Sequence, residues 1–461
     1  MNFSDQITKI LNKSYASQCF EALTSRERQI NHLIEQRKCP IDGWDDITIE
    51  LLIQKLSLMD SNNFMKICPL GERESRIASE IVARRHFRMG HGVGRSGDLC
   101  EVQPKALGSS LMYKLANSLV LDILKIGSPS TKCCFIVPLA TGMSLVLCLL
   151  TLRNSRPKAK YVIWPRIDQK SCCKCIHTAG FKTIVIQNKI DEESLVTDVE
   201  AIENTINQVG SDNVLCILTT TSCFAPRNPD HLEAVAKMCK DYNIPHVVNN
   251  AYGVQSSKCM HLIEKSSKIG RIDVYVQSTD KNFMVPVGGS IIAGFESKFI
   301  NEISCSYPGR GSAVPAMDVL ITLLHLGING YKKLLSERKE CMLYLKEKLE
   351  LITSKYNEKV IETKNNQISV AITLSNLKSK KDISEIGSML FTRCVSGTRV
   401  IISDGNSKMI NDCLFKNWGS HFDSYPFTYL TAASAIGIKK DDVDIFIKRL
   451  DKVLSKFIKV T

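Results

Sequence analysis

VYVQSTDKNF, residues 274–283, is a short apolar run that passes into polar residues and a lysine, Lys281. Upstream, a second apolar run ends in NNAYG at residues 249–253. Four similar runs, at 134–137, 161–164, 183–186 and 214–218, alternate with helical stretches such as 195–209, which predicts an α/β fold with a mostly parallel sheet covered by helices. A last helix with one apolar face is predicted over 441–458. Ligands of such sheets bind beyond the carboxyl ends of the strands, so the polar residues after each run form the candidate site.

The chemistry of these residues indicates a site for pyridoxal phosphate. Lys281 supplies an amine for a Schiff base with the aldehyde, and Asn249 supplies a polar partner for the ring nitrogen. ATGMS at residues 140–144 joins a strand to a helix, where backbone amides and hydroxyls suit a phosphate. The simpler alternatives are a solvated surface lysine and a purely structural turn. The apolar flanks of Lys281 and the order of the three segments favour the cofactor.

Asn249 stands where many enzymes of this architecture carry an aspartate. An amide can hydrogen-bond to the ring nitrogen but adds no negative charge, so the ring is a weaker electron sink. Our hypothesis is a reaction that tolerates a weaker sink, such as β-elimination of a good leaving group.

Three glycine-bearing loops each carry an arginine and suggest a second phosphate site. They are GER (71–73), GRSGD (94–98), which runs on to QPK (103–105), and YPGR (307–310). Glycine permits close backbone approach, and arginine can bind a phosphate through two hydrogen bonds. The alternative is that all three are solvated loops, since none has the ending of a Walker motif.

Composition limits the class of protein. The chain has 461 residues and a net charge of +13, which favours a polyanionic partner but leaves nucleic acid an open question. Its 18 cysteines are scattered, and CCKC at 172–175 has no second pair at a distance, so free thiols and no metal are predicted. No apolar run approaches a membrane span and the N-terminus lacks a secretory signal, so we expect a cytoplasmic protein.

Longer motifs resemble those of the O-phosphoseryl-tRNA(Sec):selenocysteinyl-tRNA synthases of archaea and eukaryotes. They are MDSNNF (59–64), the loop at 94–105, WPRIDQKSC (164–172), TTSCFAPR (220–227), and the segments 249–261 and 280–289. The similarity runs over nearly the whole chain. It is weaker in the first thirty residues and around 403–423.

The resemblance implies a pyridoxal phosphate-dependent transferase fold like that of aspartate aminotransferase. It divides the chain into a helical N-terminal segment (1–60) for oligomerisation and tRNA contact, a catalytic domain (61–314) and a small α/β C-terminal domain (315–461). The expected assembly is a homotetramer with active sites at dimer interfaces.

The resemblance also implies roles for individual residues. Lys281 carries the Schiff base, and Glu72 repels the carboxylate of a free amino acid, which an aminoacyl ester lacks. The remaining cofactor residues are Arg73, Ala140, Thr141, Gln169, Asn249, Ala251 and Ser278. The phosphate of the substrate is assigned to Arg95, Ser96, Gln103 and Arg310. The tRNA contacts are assigned to Lys268, Arg393 and Lys459.

The implied reaction converts phosphoserine on tRNA(Sec) into selenocysteine. The phosphoseryl amine displaces Lys281, which then takes the α-proton; phosphate leaves, and selenium enters from selenophosphate. Neither DNA nor a membrane is an expected partner. The alternatives are a cysteine desulfurase-like enzyme or amino-acid-phosphate lyase of the same fold, or a catalytically silent tRNA-binding homologue.

Overall fold

The structure is a computed structural model, and it describes residues 6–377 and 382–457. Its strands are β1 (Cys133–Val137), β2 (Tyr161–Pro165), β3 (Lys182–Ile186), β4 (Asn188–Asp191), β5 (Ser194–Thr197), β6 (Val214–Thr220), β7 (His246–Asn249), β8 (Val274–Ser278), β9 (Ser290–Gly294), β10 (Val360–Ile361), β11 (Ser369–Thr373), β12 (Arg399–Ile401), β13 (Ser407–Ile410), β14 (Cys413–Lys416) and β15 (Tyr429–Ala433). The α-helices are Lys13–Gln36, Asp46–Ser57, Glu80–Arg85, Leu107–Gly127, Thr141–Ser155, Lys170–Thr178, Val199–Val209, Leu232–Asp241, Ser257–Ile269, Thr279–Phe283, Ser297–Ser304, Val314–Ser354, Glu385–Phe391 and Lys440–Leu454.

The large sheet has seven strands in the order β1-β9-β8-β7-β6-β2-β3. Strands β8, β7, β6, β2 and β3 pair in parallel, and β9 is antiparallel to both β8 and β1. The six predicted apolar runs are all strands of this sheet, so the prediction of a mostly parallel α/β fold is confirmed. The side chains of the central strands β2, β6, β7 and β8 are almost all buried because helices cover the sheet, whereas the edge strand β3 is largely half-buried.

The prediction places the start of one helix too early in the sequence. The sequence pattern predicted a helix over residues 195–209, but Leu195 lies in β5 and the helix begins at Val199. Tertiary contacts override the helical pattern here, because the Leu195 N–H donates to the Pro226 carbonyl and its own carbonyl accepts from Asn228 N. The helix keeps its own start signal, since Asp198 caps it at Ala201 N.

The helix Val314–Ser354 connects two hydrophobic cores. Its first half packs in the core of the large sheet and its second half against β11 and β15. It is kinked at Gly327 (φ 62°), where an added Cβ would lie 2.5 Å from the Asp42 carbonyl carbon, so only glycine fits. By length and composition this helix could cross a membrane, but half of its apolar window is buried, as in the core helices of other folds.

The C-terminal segment forms a four-stranded antiparallel sheet, β10-β11-β15-β12, with the final helix on it. That helix was predicted over 441–458; it spans Lys440–Leu454, and residue 458 lies outside the described residues. Val443, Leu450 and Leu454 of the predicted apolar face are buried in this second core.

A buried ionic network ties residues 416–423 to the loop after β2. Arg166 Nε lies 2.8 Å from Asp168 Oδ1, and both side chains are 0% exposed. Asp168 Oδ2 accepts from Gly419 N (2.7 Å) and His421 N (2.8 Å). In return His421 Nδ1 accepts from Asp168 N at 2.8 Å. The loop that leads to Gln169 is therefore held from the C-terminal side of the chain.

Two buried histidines make the stability of the fold sensitive to acid. Burial lowers the pKa of His246 and of His421 from 6.5 to about 4. Both stay neutral in the folded protein down to about pH 4, whereas in the unfolded chain they are protonated below about pH 6.5. Unfolding therefore takes up protons in this window. We expect the free energy of unfolding to fall between pH 6.5 and pH 4, by up to about 1.4 kcal/mol per pH unit per histidine.

Denaturant titrations at several pH values measure this slope. The test variant is His421→Asn, whose amide oxygen can accept the Asp168 N–H without titrating. It should lose about half of the pH dependence that the two histidines give to the free energy of unfolding. An unchanged slope in that variant would show that His421 does not contribute.

Candidate active site

Lys281 lies in the short helix Thr279–Phe283 that directly follows β8. Its Nζ is 3.2 Å from Ser278 Oγ and 3.2 Å from Asp280 Oδ2. The side chain remains 46% exposed, so the amine has two polar partners and is still reachable from the cavity in front of it. This combination suits an amine that must bind a ligand covalently and later be released.

A cavity of about 660 Å³ surrounds Lys281 at the carboxyl edge of the large sheet. Parallel strands end on the same side of a sheet, which is why the segments after β1, β2, β7 and β8 meet here. The cavity brings together seven residues predicted to bind the cofactor: Ala140, Thr141, Gln169, Asn249, Ala251, Ser278 and Lys281. Arg73, predicted with them, does not line this cavity and is described below.

The groups in this cavity fit pyridoxal phosphate. Thr141 Oγ1 and Tyr252 OH are buried and have no hydrogen-bond partner among the described residues, so both can donate to a bound ligand. Thr141 begins the helix Thr141–Ser155, whose first amides point out of the helix and suit a phosphate. Lys281 adds the amine that an aldehyde requires, and the Asn249 amide adds a group for a ring nitrogen.

Asn249 is buried at the end of β7, and both ends of its amide have protein partners. Its Oδ1 accepts from Ala251 N at 3.2 Å. Its Nδ2 donates to Cys172 Sγ at 3.2 Å. Burial raises the pKa of the Cys172 thiol to about 11, and the hydrogen bond from Asn249 opposes that rise. The thiol is therefore neutral at neutral pH.

A second cavity, of about 750 Å³, is lined by all three arginine-bearing loops and is called the arginine cavity below. The predicted residues that line it are Glu72, Arg73, Arg95, Ser96, Gln103 and Arg310. Arg310 Nε and Nη2 are buried and have no partner in the described part of the chain. Burial and the nearby charge of Arg73 lower the Arg310 pKa. An unpaired, crowded guanidinium of this kind is stabilised by an anion such as phosphate.

The loop at 94–98 is a tight turn that requires glycine at position 94. Gly94 has φ +80°, and an added Cβ would lie 2.6 Å from the Asp98 carbonyl oxygen. The Arg95 and Asp98 backbones hydrogen-bond to each other in both directions at 2.8 and 2.9 Å. Arg95 Nη1 is 3.6 Å from Glu101 Oε1 at the surface, a weak pair that a phosphate can replace. Lys105, in contrast, is bound to Glu74.

Two of the three residues predicted to contact tRNA, Lys268 and Arg393, lie outside the linings of these two cavities. Lys268 lies in the last turn of the helix Ser257–Ile269, with Nζ 2.8 Å from Glu264 Oε1 and a side chain that is 64% exposed. Arg393 follows the helix Glu385–Phe391, and its Nη1 donates to the Met389 carbonyl. Lys459 lies outside the described residues.

Several residues of the Lys281 cavity were not predicted as site residues. Arg399 comes from β12 of the C-terminal sheet, and its guanidinium stacks 3.9 Å from the Phe224 ring centroid. Phe224 also packs on Tyr252, at 5.9 Å between ring centroids. Phe224 and Tyr252 lie inside motifs already noted in the sequence, so they could have been found there. Arg399 carried no such signal, because it reaches the cavity from another sheet.

The fold and the lysine-bearing cavity define a pyridoxal phosphate-dependent enzyme of the aspartate-aminotransferase fold. The structure of Oryza sativa TDC with PLP and tryptamine shares this fold, with a TM-score of 0.60, 10% identity, and coverage of 97% of this chain and 99% of that chain. The family model described as O-phosphoseryl-tRNA(Sec) selenium transferase, SepSecS, matches residues 59–455. The chain belongs to this family.

Individual relatives agree with this membership. The O-phosphoseryl-tRNA(Sec) selenium transferase of Dictyostelium discoideum is 48% identical, over 97% of this chain and 98% of its own length. That of Caenorhabditis elegans is 42% identical, over 94% of this chain and 91% of its own length. The crystal structure of an archaeal member superposes with a TM-score of 0.88 at 32% identity, and the match covers 96% of this chain and 98% of that chain.

Proposed function

We propose that this chain converts O-phosphoseryl-tRNA(Sec) into selenocysteinyl-tRNA(Sec), with selenophosphate as the selenium donor. One observation carries the proposal: a chain of this family has both the Lys281 cavity and a second cavity that contains the unpaired Arg310. The first has the groups for pyridoxal phosphate, and the second has the groups for a phosphate to be eliminated. The +13 net charge suits a substrate delivered on RNA.

Pyridoxal phosphate, when bound, withdraws electrons from the α-carbon of an attached amino acid and so makes its α-proton removable. Lys281 would hold the cofactor aldehyde, with Ala140, Thr141 and Ser278 around the cofactor phosphate. Once released from the cofactor, the Lys281 Nζ would also serve as the base for the α-proton of the substrate. Ser278 and Asp280, each 3.2 Å from Nζ, keep this amine near its working position. Gln169 and Ala251 would flank the ring.

The arginine cavity would bind the phosphate of phosphoserine and stabilise its charge as it leaves. Arg95, Ser96, Gln103 and Arg310 all line this cavity. Charged hydrogen bonds to a leaving phosphate strengthen as negative charge develops on it. Glu72 lines the same cavity and would repel the carboxylate of free phosphoserine.

We further propose a cytoplasmic homotetramer in which a neighbouring subunit completes each site. Arg73 lines the arginine cavity and not the Lys281 cavity of its own chain. Its proposed role beside the cofactor is therefore best met if Arg73 faces the Lys281 cavity of a neighbouring subunit. The catalytic and small domains would divide at residues 314 and 315, inside the helix that joins the two cores. Lys268, Arg393 and Lys459 remain the proposed tRNA contacts.

The phosphate-binding role of Arg310 has a direct test. Arg310→Gln is expected to lower kcat/KM for phosphate release from O-phosphoseryl-tRNA(Sec) by about 100-fold, because charged hydrogen bonds contribute about 1.5–3 kcal/mol each. Arg153→Gln, at an exposed arginine outside both cavity linings, is the matched control and should behave like wild type. A kcat/KM within about threefold of wild type in Arg310→Gln would refute the assignment.

A further inference from the structure

The amide of Asn249 is fixed in one orientation by its two neighbours. A backbone N–H can only donate, so the 3.2 Å contact with Ala251 N identifies the nearby amide atom as Oδ1. The amino end must then be the atom 3.2 Å from Cys172 Sγ. A 180° flip of the amide would set Nδ2 against the Ala251 N–H, donor against donor.

Cys172 is suited to hold the amino end. It lies in the helix Lys170–Thr178, is 3% exposed and lines the Lys281 cavity beside Asn249. As a neutral thiol it offers a weak acceptor, which fixes the direction of Nδ2 without adding a charge next to the ring-nitrogen site. The second hydrogen of Nδ2 and the second lone pair of Oδ1 stay available for a ligand.

We propose that Cys172 is a positioning residue, which acts through Asn249 to fix the group that the ring nitrogen of the cofactor meets. The inference rests on the proposed pyridoxal phosphate site and goes beyond it by naming what orients the Asn249 amide. Without an acceptor at residue 172, Nδ2 is left buried and unpaired, and the amide loses its preferred direction. An unpaired buried donor weakens the site around it.

Cys175 provides a matched control on the same helix. It is also 3% exposed, so its truncation removes a side chain of equal size and burial. Its Sγ donates to the Cys172 carbonyl at 3.0 Å and is not among the groups that line the Lys281 cavity. Any effect of a lost thiol on packing alone should therefore appear in both positions.

The experiment compares holoenzymes of wild type, Cys172→Ala, Cys172→Ser and Cys175→Ala. The readouts are the dissociation constant of pyridoxal phosphate and the pH midpoint of the absorbance of the bound cofactor. Cys172→Ala is expected to raise the dissociation constant about tenfold and to displace the midpoint. Cys172→Ser keeps an acceptor and should stay within about twofold of wild type, as should Cys175→Ala.

Equal behaviour of Cys172→Ala and Cys175→Ala in both readouts would overturn the inference. So would a Cys172→Ser enzyme as impaired as Cys172→Ala. If Cys172→Ala does not fold, Cys172→Val fills the space without an acceptor and is judged by the same criteria. Failure of the proposed cofactor site is separately visible, because wild type would then bind no pyridoxal phosphate.

Discussion

Lys281→Ala is expected to lower the rate of phosphate release from O-phosphoseryl-tRNA(Sec) by about 10³-fold or more. The variant loses the amine that holds the cofactor and also the proposed base, and a positioned general base alone contributes about 10²–10⁴-fold. Single-turnover measurement of phosphate release gives the rate. The visible absorbance band of the lysine-bound cofactor should also be absent from the variant.

Lys298→Ala is the control for this change. Lys298 is an exposed lysine of the helix Ser297–Ser304 and does not line the Lys281 cavity. It should keep both the absorbance band and the rate. If Lys281→Ala kept the band, another lysine would be the cofactor ligand, and a silent homologue would show no band in either protein.

Asp168→Ala is expected to lower the free energy of unfolding by about 3–5 kcal/mol. Asp168 contacts Arg166 through both carboxylate oxygens, at 2.8 and 3.1 Å, and both side chains are 0% exposed. Its removal leaves a guanidinium buried without its main counter-charge, and it also leaves Gly419 N and His421 N without their acceptor. Denaturant-induced unfolding of the purified protein measures the loss.

Asp423→Ala is the comparison for this change, because Asp423 also pairs with Arg166 but is not buried. Asp423 Oδ1 lies 2.6 Å from Nη1 of the same Arg166, but its side chain is 41% exposed. Water can replace it, so we expect a loss of at most about 1 kcal/mol. If the two variants lost the same stability, the buried pair would not be what holds residues 416–423 to the loop after β2.

The sheet could be predicted because its central strands are buried on both faces and appear as short apolar runs. β9 was not predicted, since its apolar run covers only residues 291–293, and a run this short does not by itself distinguish a strand from a buried helical turn. The prediction of a helix was wrong for the first residues of the 195–209 segment, for a related reason. Contacts with Pro226 and Asn228 decide their structure, and the local pattern does not contain them.

The site was predictable where residues follow strands of one sheet. Lys281, Asn249 and Thr141 come from three such strand ends, so the topology brings them into one cavity. Arg399 and Asp423, a partner of Arg166, could not be placed, because they reach the large sheet from a segment more than 200 residues further along than β2. The orientation of Asn249 by Cys172 depends on a tertiary contact that spacing does not specify.

The most direct test of the proposed function supplies O-phosphoseryl-tRNA(Sec) and free O-phosphoserine in parallel, each with selenophosphate. The products are selenocysteine on tRNA and released phosphate. We predict that the charged tRNA is converted to selenocysteinyl-tRNA(Sec). Free phosphoserine should turn over far more slowly, because Glu72 in its proposed role would repel the carboxylate and because the free amino acid lacks the proposed tRNA contacts. Turnover of free phosphoserine as fast as that of the charged tRNA, or phosphate release without selenocysteine on the tRNA, would contradict the account.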